Sequence, residues 1–285
     1  MNNKIIYTAI IGGYDDLFEP DFKPDGWDFV CFTDRDFKSD TWDVQKVLPL
    51  YKDNTRTARK YKLLPHRWFP NYEYSCWIDG NAKVRNDIND LFSFIEDCNL
   101  ATYDHAITHL DPRDCIYEEA EVILNIGKMN YQKNPSKGIN AFKDDPRVIE
   151  RQVNKYWGEK MPRNNGLISS MVLFRRHNEK DCIKTMEDWW TEIKHNSKRD
   201  QLSFNYVAWK NNFKYNYLEG DVRTNHYFLN MGRYGWKILG THEGKKHDRG
   251  KDTKQNPRNY FKIMLDLYWF SFVYLGVTKG VKNEI

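Results

Sequence analysis

In this 285-residue chain, a strand-like run through residues 74–78 ends on Asp79-Gly80-Asn81. Tyr72, Tyr74, Cys76, Trp77 and Ile78 suit a pleated, half-buried surface, and Val84 resumes the apolar pattern. A carboxylate directly after such a run sits where an open α/β sheet presents its ligands, beyond the carboxyl end of a strand. Gly80 permits a sharp turn, so Asp79 and Asn81 can aim oxygens at one point. Two hard oxygen donors two residues apart suit Mg²⁺ or Mn²⁺ that is also held by a diphosphate. The plain alternative is a hairpin turn, which Asp-Gly often signals.

The elements around this motif read as alternating strands and helices. Residues 4–11 form a nearly continuous apolar run, as in a strand covered on both faces, and stop at Gly12-Gly13. Residues 27–32 and 42–47 predict two more strands, the first ending in Thr33-Asp34. Residues 55–64 predict a basic helix with Thr55 as a candidate N-cap, carrying Arg56, Arg59 and Lys60. These cations either face solvent or, lying just before the Asp79 strand, meet a diphosphate, for which Arg has matching geometry. Further helices are expected over 88–96 (capped by Asp87), 115–129, 144–157, 179–195 and from Arg199 through Trp209. Further strands are expected over 99–103, 167–174 and 214–218, with loops at 104–113 and 131–139.

Length and a 40% hydrophobic share fit one large α/β domain, read here as residues 1–236. Net charge is +4, but residues 237–285 carry ten Lys/Arg against five Asp/Glu, so the remainder is close to neutral. Such a tail favours anionic partners such as phosphates or membrane head groups. Residues 261–277 are apolar nearly all round, too short to span a bilayer, and flanked by Lys262, Lys279 and Lys282. That segment either packs on the domain or makes peripheral membrane contact through 260–282. No basic–aromatic motif of an RNA or DNA module appears, so a nucleic-acid partner is not expected. Five cysteines without Cys-x-x-Cys spacing, and no signal peptide, imply reduced thiols in the cytoplasm, at the inner face of the membrane if the tail binds there.

Several motifs occur together in order: Tyr7-Thr-Ala-Ile-Ile-Gly-Gly-Tyr-Asp15, Phe32-Thr-Asp34, Ala58-Arg-Lys-Tyr-Lys-Leu-Leu-Pro65, Trp77-Ile-Asp-Gly-Asn81, Arg113-Asp-Cys-Ile-Tyr-Glu-Glu119 and Arg199-Asp-Gln201. As a set the chain resembles the nucleotide-sugar glycosyltransferases of GT-A fold. More narrowly, it resembles the domain family that includes the plant mucilage-related glycosyltransferase-like proteins and has bacterial members. The resemblance implies a Rossmann-like, mixed but mostly parallel central sheet with helices on both faces. It also implies sugar transfer from a nucleotide-sugar, with a UDP-sugar favoured, to a glycan or lipid-linked acceptor in cell-surface polysaccharide synthesis. A looser similarity to the retaining family 8 transferases gives later roles to Asn165-Gly166, Asp200-Gln201 and a segment at His242. Two departures stand out: Asn81 replaces the second metal-binding carboxylate, and Glu243 stands beside His242 where the looser family has an aromatic.

Breaking a sugar–phosphate bond passes through an oxocarbenium-like centre, and the leaving diphosphate must be stabilised. A bridging cation can do this, and fixed Arg, Lys and His groups can supplement or replace it. The resemblance implies Asp79 and Asn81 at a divalent cation, Mn²⁺ or Mg²⁺, or at the ribose, with His242 as the third metal ligand. It places Gly12, Asp34, Arg59, Lys62 and Asp79 at the donor, with His109, Arg113 and Glu118 at the donor sugar or acceptor. Asn165 and Gly166 fall on the acceptor side. Asp200, with Gln201, is the carboxylate expected near the anomeric carbon, as base or as orienting group; the local alternative is a helix N-cap. Competing readings are a degenerate, non-catalytic nucleotide-sugar or glycan-binding module, which Asn81 favours, and a hydrolase. The absence of a Gly-x-Ser-x-Gly elbow and of a His-rich metal cluster weighs against the hydrolase.

Overall fold

A computed structural model describes residues 2–109 and 111–231. His242, the aromatic segment 261–277 and the expected boundary near residue 237 lie outside these. The central feature is a seven-stranded sheet in the order β3-β2-β1-β4-β7-β6-β8. Its strands are β1 (Lys4–Ile10), β2 (Trp27–Thr33), β3 (Asp43–Lys46), β4 (Tyr74–Ile78), β6 (Leu100–Asp104), β7 (Ile168–Arg175) and β8 (Asn216–Leu218). A two-stranded ribbon pairs β5 (Ala82–Val84) with β9 (Phe228–Asn230). The sheet is parallel except at β7, which runs antiparallel to both β4 and β6.

Period-two alternation sorts each strand between two cores. Ile5, Tyr7 and Ala9 of β1, with Trp77 of β4, face one; Ile6 and Ile10, with Cys76 and Ile78, face the other. That double burial is why β1, β2 and β7 read as continuous apolar runs. The first face is covered by α1 (Asn54–Leu63), α5 (Lys180–His195) and α6 (Phe204–Asn211). A one-turn helix, α2 (Pro65–Trp68), follows α1; α3 (Ile116–Lys133) and α4 (Pro146–Gly158) pack together beyond β6. On the second face the helical cover is a 3₁₀ helix, Asn89–Ile95, beside the β5–β9 ribbon. Asp87 does not cap an α-helix here; its carboxylate accepts from the Asn89 amide at 3.0 Å and tightens the turn. Residues 131–133 belong to α3, and 135–141 form a 3₁₀ helix rather than open loop.

The N-cap of α1 is Asp53, two residues before the expected Thr55, and its carboxylate accepts from the Thr55 and Arg56 amides. Lys198 reaches the same carboxylate at 2.8 Å, tying α1 to the turn before Asp200. Replacing Asp53 with alanine should therefore cost about 1–2 kcal/mol, the usual loss for a cap, read as a lower urea midpoint at constant slope. No helix of the described residues is long and apolar enough to cross a membrane, and all five cysteines are free thiols.

Candidate active site

Because β6 and β4 both run antiparallel to β7, they are parallel to one another. The ends of β1, β2, β4, β6 and β8 therefore share one edge with the start of β7. In the order of the sheet that edge presents Asp34, Gly12, Asp79, Gly166 and Asp104, with Asp79 in the middle. Strand β7 sets the spacing. The Asp79 amide donates to Met171 O at 2.9 Å, Ser170 Oγ donates to Asp200 Oδ2 at 2.8 Å, and Gln201 Nε2 donates to Ile168 O at 2.9 Å.

Between Asp79 and Asp200 stand two cations from one face of α1, Arg59 and Lys62, three residues apart in sequence. Lys62 Nζ lies 2.8 Å from Asp200 Oδ2, 3.2 Å from Asp79 Oδ1 and 3.2 Å from Ser170 Oγ. Arg59 Nε lies 3.1 Å from Asp200 Oδ2, and its Nη1 lies 3.7 Å from Asp79 Oδ1. The Lys62 side chain is fully buried and that of Asp200 is 3% exposed, whereas Asp79 keeps 25% of its surface open. The Lys62 carbonyl, at the end of α1, accepts from Tyr7 Oη at 2.7 Å and from Arg175 at 3.1 Å. A buried guanidinium at a helix C-terminus complements the exposed carbonyls there and fixes where Lys62 leaves the helix.

Burial lowers the Lys62 ammonium below its ordinary value even though Asp200 and Asp79 oppose the shift. For Asp200, burial alone would raise the carboxyl, but Arg59 and Lys62, helped by Arg199, hold it well below the ordinary range. Asp200 is thus a fixed anion. It does not cap α6, whose N-cap is Ser203; its carbonyl instead accepts from Trp189 Nε1 at 3.0 Å.

Trp77 Nε1 also donates to Asp79 Oδ1, at 2.8 Å, so the contacts of this carboxylate gather on one oxygen. Two residues on, Asn81 Oδ1 is buried and accepts no hydrogen bond. The second Asp79 oxygen and the orphan Asn81 oxygen are hard neutral-plus-anionic donors of the kind a divalent cation takes, so the residues fit one. Among the described residues no group of three His, Cys, Asp or Glu could hold a metal by itself.

The other expected residues fall to either side. On the β1–β2 side the Gly12 amide donates to Asp34 at 2.9 and 3.1 Å, so Asp34 shapes the glycine turn. Gly12 has φ +70°, and a Cβ there would lie 2.0 Å from the Asn54 side chain. On the β6 side Gly166 has φ +82°, with Asn205 and the Tyr217 hydroxyl against it, and Asn165 O accepts from Asn205 Nδ2. His109 is exposed, and its ring and amide both meet Asp221. Arg113 is bound not to Glu118 but to its neighbour Glu119, at 2.5 and 2.9 Å; Glu118 is half-buried and lies 3.7 Å from Arg163.

Sequence reasoning did not single out Trp77, Ser170 or Arg199 for a role in the site. Trp77 shares a strand face with Asp79 by period two, and Ser169-Ser170 interrupts an apolar strand; both signals were in the pattern.

A family model described as TOD1/MUCI70, glycosyltransferase-like domain, matches residues 28–227. The chain belongs to this family. A curated relative, the probable hexosyltransferase MUCI70 of Arabidopsis thaliana, is 26% identical over 226 residues, 71% of this chain. The chain spans 36% of that relative's length. Among solved structures, a glycosyltransferase involved in glycosylation of the major capsid of PBCV-1 aligns at 11% identity over 80% of this chain and 93% of its own, with a TM-score of 0.42. The mannosyltransferase Ktr4p of S. cerevisiae aligns at 10% identity over 72% of this chain and 62% of its own, with a TM-score of 0.34. Within the TOD1/MUCI70 domain so defined lie Asp79, Arg59, Lys62 and Asp200, the whole charged cluster.

Proposed function

We propose that the chain is a glycosyltransferase that moves a hexosyl group from a nucleoside-diphosphate sugar to a glycan or lipid-linked acceptor. The observation that carries this reading is the charged cluster at the carboxyl edge of the sheet. An open carboxylate, Asp79, and a buried one, Asp200, are held a fixed distance apart by Lys62 and Arg59. Asp79 and Asn81 would hold a divalent cation, which when bound supplies Lewis-acid stabilisation to the departing diphosphate. Arg59, 17% exposed, adds a fixed cation beside that group. Asp200, ionised and dry, suits the positive charge that develops at the anomeric carbon. The Gly12 turn would lie along the nucleotide.

Thermal shift with UDP-, GDP-, ADP- and CMP-linked sugars, with and without Mn²⁺, tests the reading on wild type and Asp79→Ala. A ligand that binds only the folded state raises its melting temperature. One donor class, UDP-linked hexoses first, should stabilise the wild type and leave Asp79→Ala unmoved; dependence on Mn²⁺ should weaken in Asn81→Ala. No shift with any donor on a folded wild type would remove the assignment. Binding without turnover in the presence of a glycan acceptor panel would favour the non-catalytic binding module.

A further inference from the structure

Beside Asp200, on the side of Asp79 away from Gly12 and Asp34, two cations converge on one buried carboxylate and a third lies on the segment packed next to them. Glu119, in the first turn of α3, is 4% exposed and accepts from Arg113 Nε and Nη2 on its Oε2. Arg199 Nη2 approaches Glu119 Oε1 at 3.8 Å. The Arg199 Nε is buried and has no hydrogen-bond acceptor. Lys143 is the third cation.

The backbone fixes Lys143 against the others. Its neighbour Asp144 accepts from the Lys198 amide at 2.7 Å and from Ser197 Oγ at 2.9 Å. Phe142 packs on Gly127 of α3, where a Cβ would meet the ring at 2.0 Å. Leu202 plugs between Ala120 and Ile123 of α3 and Ile149 of α4, holding the 199–202 turn to the same helix. Lys143 as a residue is exposed. Burial and the charges of Arg199 and Arg113 lower its ammonium pKa, with only Glu119 opposing. No described residue forms an ion pair with Lys143. Asp111 takes the remaining arm of Arg113, which leaves Arg199 and Lys143 short of negative charge.

Like charges gathered this closely repel, and an arrangement with one shared carboxylate is completed by an added anion. Asp200 packs on β7, on the far side of β4 from Gly12 and Asp34, so the cluster lies away from the side proposed for the nucleotide, where the acceptor is the remaining substrate. We propose that Arg113, Lys143 and Arg199 form a subsite for an oxyanion, a carboxylate or phosphate, carried by a saccharide acceptor. This rests on the transferase reading and adds the acceptor's charge to it. Arg113 is the buried base of the subsite, and Arg199 and Lys143 supply the open donors.

The test is a titration of the full chain, by calorimetry, with glucuronate, galactose 6-phosphate and neutral methyl glucoside, on wild type, Lys143→Gln and Lys143→Arg. UDP and GDP are titrated alongside. The wild type should bind one of the two anionic sugars and not the neutral one, and which anion binds more tightly identifies carboxylate or phosphate. Lys143→Gln should weaken that binding about tenfold, the loss expected for one charge-assisted contact. Lys143→Arg should restore it, and nucleotide binding should not change. Anion binding equal in Lys143→Gln and wild type, or absent while a nucleotide still binds, overturns the subsite. Nucleotide binding that falls in Lys143→Gln also overturns it, since the cluster would then serve the donor diphosphate. If neither UDP nor GDP binds the wild type, the transferase reading fails with it.

Discussion

Lys62→Met should lower the unfolding free energy by about 3 kcal/mol and abolish any donor-dependent thermal shift, because it breaks a buried ion pair from one side. The Lys62 side chain has no solvent exposure. Its three ammonium hydrogens match three acceptors, Asp79 Oδ1, Ser170 Oγ and Asp200 Oδ2, with nothing to spare. Methionine keeps the length and loses the charge, leaving Asp200 in an apolar setting with Arg59 as its nearest cation. The burial that lowers the Lys62 pKa indicates that desolvation outweighs the attraction felt by the ammonium. Removing both members of the pair should therefore be milder than removing one. Lys62→Met combined with Asp200→Leu should recover part of the loss, measured as a coupling energy in urea unfolding. A single variant within about 0.5 kcal/mol of wild type, the spread of an ordinary surface change, would show that the pair does not hold the site together.

What the sequence revealed of the fold follows from burial. Strands buried on both faces leave an apolar run that is hard to misread, and β1, β2, β4 and β7 all have one. Helix ends were less legible because their partners are distant. Thr55 and Asp53 are both good capping types, and only the contact to Lys198, 145 residues away, distinguishes Asp53 further. The 88–96 segment has apolar residues at helical spacing, yet the Asp87 carboxylate competes for the Asn89 amide and the turn tightens to 3₁₀.

The site was legible in its types and not in its connections. Asp79 at a strand end, and Arg59 with Lys62 on one helix face, follow from local periodicity. That Asp200 meets those cations is a tertiary fact, since 138 residues separate it from Lys62. The same holds at α3, where Glu118 and Glu119 look equivalent in a helix first turn. Only the packing of the Arg113 and Arg199 loops against the helix shows that Glu119 is the buried member.

Asp200→Asn should reduce turnover about a hundredfold to a thousandfold, the range seen when one preorganised electrostatic group is removed, in a protein that still folds but is less stable at neutral pH because Lys62 and Arg59 lose their buried counter-charge. The replacement is isosteric, and Ser170, Lys62 and Arg59 still have an oxygen to meet. What it removes is the negative charge proposed to face the anomeric carbon. The pH profile separates this role from that of a general base. Arg59 and Lys62 override burial and hold the Asp200 pKa well below the ordinary range. Its proton is therefore already gone throughout the pH range in which a transferase is assayed. A group with a depressed folded-state pKa stabilises the fold above its unfolded value, near 3.9 for Asp, and loses that contribution as pH falls through the folded value. Wild-type stability should thus fall more steeply than that of Asp200→Asn below about pH 4. Between about pH 5 and 8 the wild-type kcat/KM should have no acid limb that the substitution removes. A wild-type limb near pH 6 that vanishes in Asp200→Asn would make the residue the acceptor's base, and would require Arg59 and Lys62 to move away from it when substrate binds.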